Sequence, residues 1–318
     1  MVRTLKPRSR AGQRAGWLAA GLACLFALAG CGGSQSAVPA DSQDHRPVVL
    51  TTFTVLQDIA QNVAGDHLRV ESITRLGAEI HGYEPTPDDL RRASHADLIL
   101  DNGLNLEAWF QQFVEGNDAP HATVSQGIKA IDIVQEEGAG KPNPHAWMSP
   151  LNVKIYVDRM ADAFTELDPA NARDYRDNAK AYQAELQKVH DELEAALAEI
   201  PERQRVLVTC EGAFSYLARD TAMAEKYLWA VNAESQATPR KVAAAIDYVR
   251  ENDVPAVFCE STVSDAAMQR VVESTDASYG GTLYVDSLSE PGGPVPSYLD
   301  LISHDTRTIA RALKGGTP

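Results

Sequence analysis

Residues 167–201 read LDPANARDYRDNAKAYQAELQKVHDELEAALAEIP, and their pattern decides the fold. Tyr175, Ala179, Tyr182, Leu186, Val189, Leu193 and Leu197 recur every three or four places, which is the period of one helix face. Asp168-Pro169 is a helix start signal and Pro201 a stop. About 30 residues at 1.5 Å each reach roughly 45 Å, further than one small domain is wide. Such a helix reads as a stiff rod between two bodies, and it limits hinge motion between them. No other stretch carries a matching seam, so a coiled-coil reading finds no partner helix.

Strand and helix signals alternate on both sides of this rod. Before it, PVVLTTF (47–53), LRVESITR (68–75), DLILDNG (97–103) and ATVSQGI (122–128) read as strands, separated by LQDIAQNVAG, DDLRRASHA and NLEAWFQQFVEG. After it, RVLVTC (205–210), KYLWAV (226–231), AVFCES (256–261) and GGTLYVDS (280–287) alternate with four helical stretches, the last being PSYLDLISHDTRTIARAL. β-Branched and aromatic strands between amphipathic helices argue for parallel sheets covered on both faces. The expected fold is α/β, with two similar lobes, each a four-stranded parallel sheet flanked by helices, joined by a long backbone helix. The lobes are expected at 47–150 and 203–318, with connecting helices at 151–202. Their sequences show no close repeat, so the likeness is one of architecture.

The 318 residues carry a formal charge of −15, and its distribution is uneven. Arg3, Lys6, Arg8, Arg10 and Arg14 are the only charges before residue 32. Setting those five aside leaves 24 basic against 44 acidic residues, a net −20. That balance speaks against nucleic acid as a partner and suits a cationic ligand. The basic stretch precedes GWLAAGLACLFALAG, an apolar run too short and wrongly flanked for a membrane span. It ends in Leu28-Ala29-Gly30-Cys31, which resembles a bacterial lipobox, where the cysteine becomes the lipid-modified first residue. Residues 1–30 thus read as a lipoprotein signal peptide and 31–46 as a flexible tether. The expected location is extracytoplasmic and membrane-anchored through Cys31. Of four cysteines, only Cys210 and Cys259 remain in the folded part, which excludes a disulfide framework but not one bridge. They read as buried free thiols.

In open parallel sheets, ligands bind beyond the carboxyl ends of the strands. In the second lobe, Glu211, Glu260 and Asp286 stand there. In the first, EIHGYEPTP (79–87) sets His81 before a glycine and two prolines, and KPNPHAWMSP (141–150) fixes His145 behind Pro144. Proline removes in advance part of the ordering cost of a ligand loop. Two imidazoles from one lobe and carboxylates from the other make a mixed nitrogen and oxygen site suited to a divalent first-row metal. The plainer alternatives are surface histidines and helix-capping carboxylates, Glu211 standing just ahead of a helix near Ala213. His45, His67, His95, His121, His190 and His304 read as surface residues, and Trp109 and Trp147 as packing. Glu260 suits a supporting role behind Glu211.

The stretches HGYEPTPDDLRRASHADLILDNGLNLEAWF, KPNPHAWMSP, TCEGAFSYLARD, CESTVSD and GGTLYVDSLSEPGGPVPSYLD resemble the cluster A-I substrate-binding lipoproteins of bacterial metal ABC importers, in their manganese/iron subgroup. The likeness runs through nearly all of the chain from residue 47. It implies two α/β lobes on a backbone helix, with one divalent cation held between them as cargo for an ABC permease and its ATPase. Motif by motif, it implies His81, His145, Glu211 and Asp286 as the metal ligands. Zinc-specialised relatives generally carry a third histidine and often a His/Asp-rich loop; here position 211 is glutamate and no such loop follows His81. A carboxylate in place of an imidazole hardens the site towards Mn²⁺ or Fe²⁺, with Zn²⁺ still able to bind. The expected protein is a monomeric capture protein and not an enzyme. The competing reading is a metal-dependent hydrolase or lyase using the same site, with Glu260 as its acid or base.

Overall fold

A computed structural model describes residues 44–109, 119–134, 138–231 and 237–316. The apolar leader, the lipobox with Cys31 and most of the tether lie outside the described residues, as does part of the NLEAWFQQFVEG stretch. Among the described residues, no helix is long and apolar enough to cross a membrane.

The first lobe has strands β1 (Val48–Thr51), β2 (Arg69–Ser72), β3 (Leu98–Asp101) and β4 (His121–Thr123). They form one sheet in the order β2-β1-β3-β4, every neighbouring pair parallel. Its alternating residues feed two separate cores, as expected of a sheet covered on both faces. Val49, Leu98 and Leu100 join the main core with helix α1 (Thr54–Ala64), whereas Leu50 and Ile99 pack with Ile73 and Ala93. Ala93 closes helix α2 (Pro87–Ala93), whose start is fully specified by the end of EIHGYEPTP. Pro87 stands in its first turn, the Thr86 hydroxyl accepts from Asp89 N, and Asp89 accepts from Thr86 N at 2.8 Å.

Helix α3 (Pro150–Leu167) leads through a short 3-10 turn at Pro169–Asn171 into α4 (Ala172–Ala198). The proline at 169 opens the turn, not the helix itself. At 27 residues α4 is about 40 Å long, and all seven apolar positions of its stripe are buried. So is His190, contrary to its reading as a surface residue. It lies four places after Leu186 and three before Leu193, on the same face, with Nε2 at 3.6 Å from Glu194.

The second lobe holds β5 (Val206–Glu211), β6 (Ala224–Trp229), β7 (Ala256–Glu260) and β8 (Ser278–Leu283). Helices α5 (Ser215–Asp220), α6 (Pro239–Glu251), α7 (Ala266–Glu273) and α8 (Tyr298–Leu313) accompany them. The four strands hydrogen-bond as two parallel pairs, β5–β6 and β7–β8, where a single four-stranded sheet was expected; β5 and β7 lie side by side without a hydrogen-bonded ladder between them. Between the pairs, Cys210 and Cys259 are joined in a disulfide with Cα atoms 4.9 Å apart. This corrects the reading of two free thiols. The cysteines occupy the same position in neighbouring strands, one residue before each terminal glutamate, which brings their side chains together.

From His45 on, the chain forms one compact unit. A single hydrophobic core runs through both lobes, taking Phe53, Leu100 and Trp147 from the first and Phe214, Phe258 and Tyr298 from the second. The inner face of α4 belongs to it as well. Lobes that share a core cannot swing apart without exposing it, so the rod expected from the sequence is backed by packing.

Candidate metal centre

His81 sits in the loop between β2 and α2. Its loop is braced internally: Glu79 accepts the backbone N–H of His81 at 2.6 Å with one oxygen and that of Gly82 at 2.9 Å with the other. Position 82 favours glycine because a Cβ there would stand 3.2 Å from the Glu79 carboxylate. Trp109 closes the loop from behind, donating to Ile80 O at 3.3 Å and meeting Tyr83 edge to face.

His145 opens the short 3-10 turn Ala146–Met148 and is fully buried. Asn143 holds it by two contacts to one oxygen, from the backbone N–H at 3.0 Å and from ring Nδ1 at 2.9 Å. The amide oxygen can only accept, so Nδ1 carries the proton and Nε2 presents a lone pair. The same side chain donates to Gly212 O at 2.6 Å and Ser215 Oγ at 3.2 Å, in the other lobe. Gly212 has no room for a side chain, since a Cβ would lie 2.9 Å from Ala230 O and 3.0 Å from the Tyr227 ring.

Glu211 is the last residue of β5, buried like its neighbours. Its N–H donates to Glu260 at 3.1 Å, the last residue of β7. Glu211 does not cap α5, whose N-terminus at Phe214 has no side-chain cap. Asp286 lies three residues beyond β8 in a segment tied to the first lobe. Trp147 Nε1 donates to Val285 O at 3.0 Å, and Ser287 Oγ accepts from Gly77 N at 2.6 Å and contacts Thr54 Oγ1 at 3.2 Å.

These elements bring the four residues expected from the sequence to one point. His81 Nε2 is 3.0 Å from His145 Nε2, 3.8 Å from Glu211 Oε1 and 4.0 Å from Asp286 Oδ1. His145 Nε2 is also 3.8 Å from Glu211 Oε1. Donors on one tetrahedral cation with bonds of 2.0–2.2 Å stand about 3.4 Å apart, so the spacing suits a single small ion. Burial pushes His81 down to about 4 and His145 well below its usual value, the latter helped by His81. Both imidazoles are therefore neutral at pH 7. Burial, then the charge of Glu79, pushes Asp286 up to about 7, and its Oδ1 has no hydrogen-bond partner. Burial pushes Glu260 up to about 8, its other oxygen being unpartnered as well. Buried lone pairs short of donors are the condition a cation relieves.

Residues 49–312 match the model of the ZnuA family, described as zinc-uptake complex component A, periplasmic. The chain belongs to this family. Its relatives include the iron-binding protein YfeA of Yersinia pestis, 52% identical over 264 residues, which are 83% of this chain and 85% of that one. The metal ABC transporter substrate-binding lipoprotein ScbA of Streptococcus cristatus is 33% identical over 300 residues, 92% of this chain and 96% of its own. Among solved structures, a mutant periplasmic metal binding protein from Candidatus Liberibacter asiaticus with Mn bound superposes with a TM-score of 0.80 at 38% identity. That match covers 84% of this chain and all of the other. This ZnuA-family chain therefore has its fold in common with metal-binding proteins over nearly the whole described length.

Two residues of the centre escape a reading by motif. Asn143 belongs to no ligand motif, and its hold on the His145 ring shows only in the geometry. Glu79 carries no motif signal either, and Glu84 of the same loop lies closer to the prolines. Glu84 is exposed, and it is Glu79 that approaches His81 and Asp286.

Proposed function

We propose that this protein captures one divalent transition metal outside the cytoplasm and delivers it to an ABC importer, with His81, His145, Glu211 and Asp286 as the ligands. The convergence of those four side chains on one buried point, from four separate segments, is the observation that carries the reading. Neutral imidazole nitrogens and carboxylate oxygens favour Mn²⁺ or Fe²⁺ as cargo, and Zn²⁺ also fits such donors. One relative is named for iron, and the superposed structure holds Mn. The Cys210–Cys259 disulfide suits an oxidising compartment. In this reading Cys31 carries the lipid anchor, the chain is a monomer, residues 47–150 and 203–318 act as lobes, and residues 151–202 connect them.

A hydrolase at the same place would need an open coordination position with an acid or base beside it. Glu260, the candidate, faces the backbone N–H of Glu211 and serves to fix that strand end. Four protein donors, two of them capable of bidentate contact, leave the capture reading the simpler one.

The test is uptake by metal-free protein exposed to equimolar Mn²⁺, Fe²⁺ and Zn²⁺ under anaerobic conditions, read by elemental analysis. One equivalent in the wild type is expected, with uptake lost in a His145→Ala, Glu211→Ala double variant that remains folded. Undiminished uptake by that variant rules out the site.

A further inference from the structure

The metal-ligating groups around the cleft fall into two overlapping sets. His81, His145 and Glu211 each offer a donor atom within 4.8 Å of the others, and so do Glu79, His81 and Asp286. His81 belongs to both. The sets differ in depth: His145 and Glu211 are buried, whereas Glu79 is half-buried and lies on the outer side.

Glu79 is held as a ligand would be. Each of its oxygens accepts one backbone N–H of its own loop, and each keeps a second lone pair. Asp286 Oδ1, buried and without a hydrogen-bond partner, stands across from it. Close to Asp286 in sequence lies a cavity of about 250 Å³ lined by Leu76, Gly77, Thr262, Tyr284, Ser287 and Leu288 among others. It reaches Asp286 through Thr262, whose hydroxyl donates to Asp286 Oδ2 at 3.4 Å.

We propose that Glu79, His81 and Asp286 form an outer, transit site through which a divalent cation enters and leaves the inner set. An incoming ion exchanges some of its water for Glu79 and Asp286 first. It then moves inward as His145 and Glu211 replace Glu79, with His81 and Asp286 bound throughout. The ion never has to be stripped in one step, which is the costly part for Mn²⁺ or Fe²⁺. The inference rests on the proposed metal-capture reading and adds Glu79 to it as a kinetic group.

A transit site has a signature that a permanent ligand lacks: its removal slows both directions. The experiment is stopped-flow mixing of metal-free protein with Mn²⁺, followed by tryptophan emission, since the Trp147 ring centroid is 5.1 Å from that of His145. Dissociation is read by chasing with excess chelator. Glu79→Gln is expected to bind one Mn²⁺ still, with association and dissociation both about tenfold slower and the equilibrium constant changed by less than about threefold. The slowing should persist at high salt, where long-range steering is screened, and Glu79→Asp should recover most of it. Unchanged rates overturn the proposal. So does faster dissociation alone, which marks a permanent ligand, or a lowered melting temperature of the metal-free protein with loss of stoichiometry in both variants, which marks a bracing role only. If wild-type protein takes up no Mn²⁺, Fe²⁺ or Zn²⁺, it is the capture reading that falls, and this one with it.

Discussion

The first lobe offers nitrogen from loops, and the second offers oxygen from or just beyond the ends of strands. His81 and His145 are positioned by side chains of their own segments, Glu79 and Asn143, with prolines at 85, 87 and 144 stiffening the backbone. Glu211 is positioned by the sheet itself, its strand pinned to β7 by the disulfide and by the bond to Glu260. Loop bracing is local and needs particular residues at particular places. Strand-end placement is a property of the whole lobe, so it fails only when the sheet does.

The largest expected effect breaks the strand side. The disulfide closes a sequence separation of 49 residues, and a loop of that size constrains the unfolded chain by about 4 kcal/mol. Cys210→Ser with Cys259→Ser should lower unfolding stability in urea by up to that amount, whereas the first lobe has no comparable staple to lose. A change below about 1 kcal/mol would mean that the paired ladders hold without the bridge.

The next effect breaks the loop side. Asn143→Ala frees the His145 ring, unlocks its tautomer and removes the donors to Gly212 and Ser215 in the other lobe. Outer partners of this kind are worth about 10- to 100-fold in metal affinity. Titration calorimetry with Mn²⁺ should show that loss, and an affinity unchanged by the substitution would put the orientation of His145 down to Pro144 and packing alone.

These two cases mark what could be read from the chain alone. The period of α4 and the alternation of strands and helices follow from local pattern, which a sequence carries directly, and the meeting of His81, His145, Glu211 and Asp286 follows from strand ends together with the resemblance. The disulfide depended on which strands became neighbours, and Cys210 and Cys259 do not announce that. His190 was misjudged because its type outweighed its place on the stripe. Glu79 and Asn143 were hidden because their roles depend on loop geometry, which no periodicity encodes.

Acidity separates the halves further. Because burial keeps both imidazoles neutral down to about pH 4 in the case of His81, protons there do not compete with a metal at pH 6. Asp286, raised to about 7, holds a proton below that value and must release it for a cation to bind. Mn²⁺ affinity should therefore be flat above pH 7 and fall about tenfold per unit below it, with close to one proton released per ion at pH 6. A midpoint near the usual histidine range that vanished in a His81→Gln variant, and not in Asp286→Asn, would reverse the assignment of the proton to the oxygen side.

The smallest expected effect lies where the lobes meet away from the centre. Asp58 of α1 accepts the N–H of Tyr298, the first residue of α8, at 2.9 Å. Burial, against the pull of that N–H and with a push from Asp300, raises its carboxyl to about 6. A raised acid holds its proton in the folded state up to pH 6, so the charge it bears above that value costs stability, while the hydrogen bond remains useful. Asp58→Asn keeps an acceptor without the charge and should be neutral or slightly stabilising at pH 7.5. Asp58→Ala loses the acceptor and should cost about 1 kcal/mol. Neither should move Mn²⁺ affinity, since this joint works through the shared core and not through the ligands. If Asp58→Ala did weaken Mn²⁺ binding, the two lobes would be coupled through α1 and α8, and the contrast between a locally braced half and a sheet-borne half would have to give way to one rigid frame serving both.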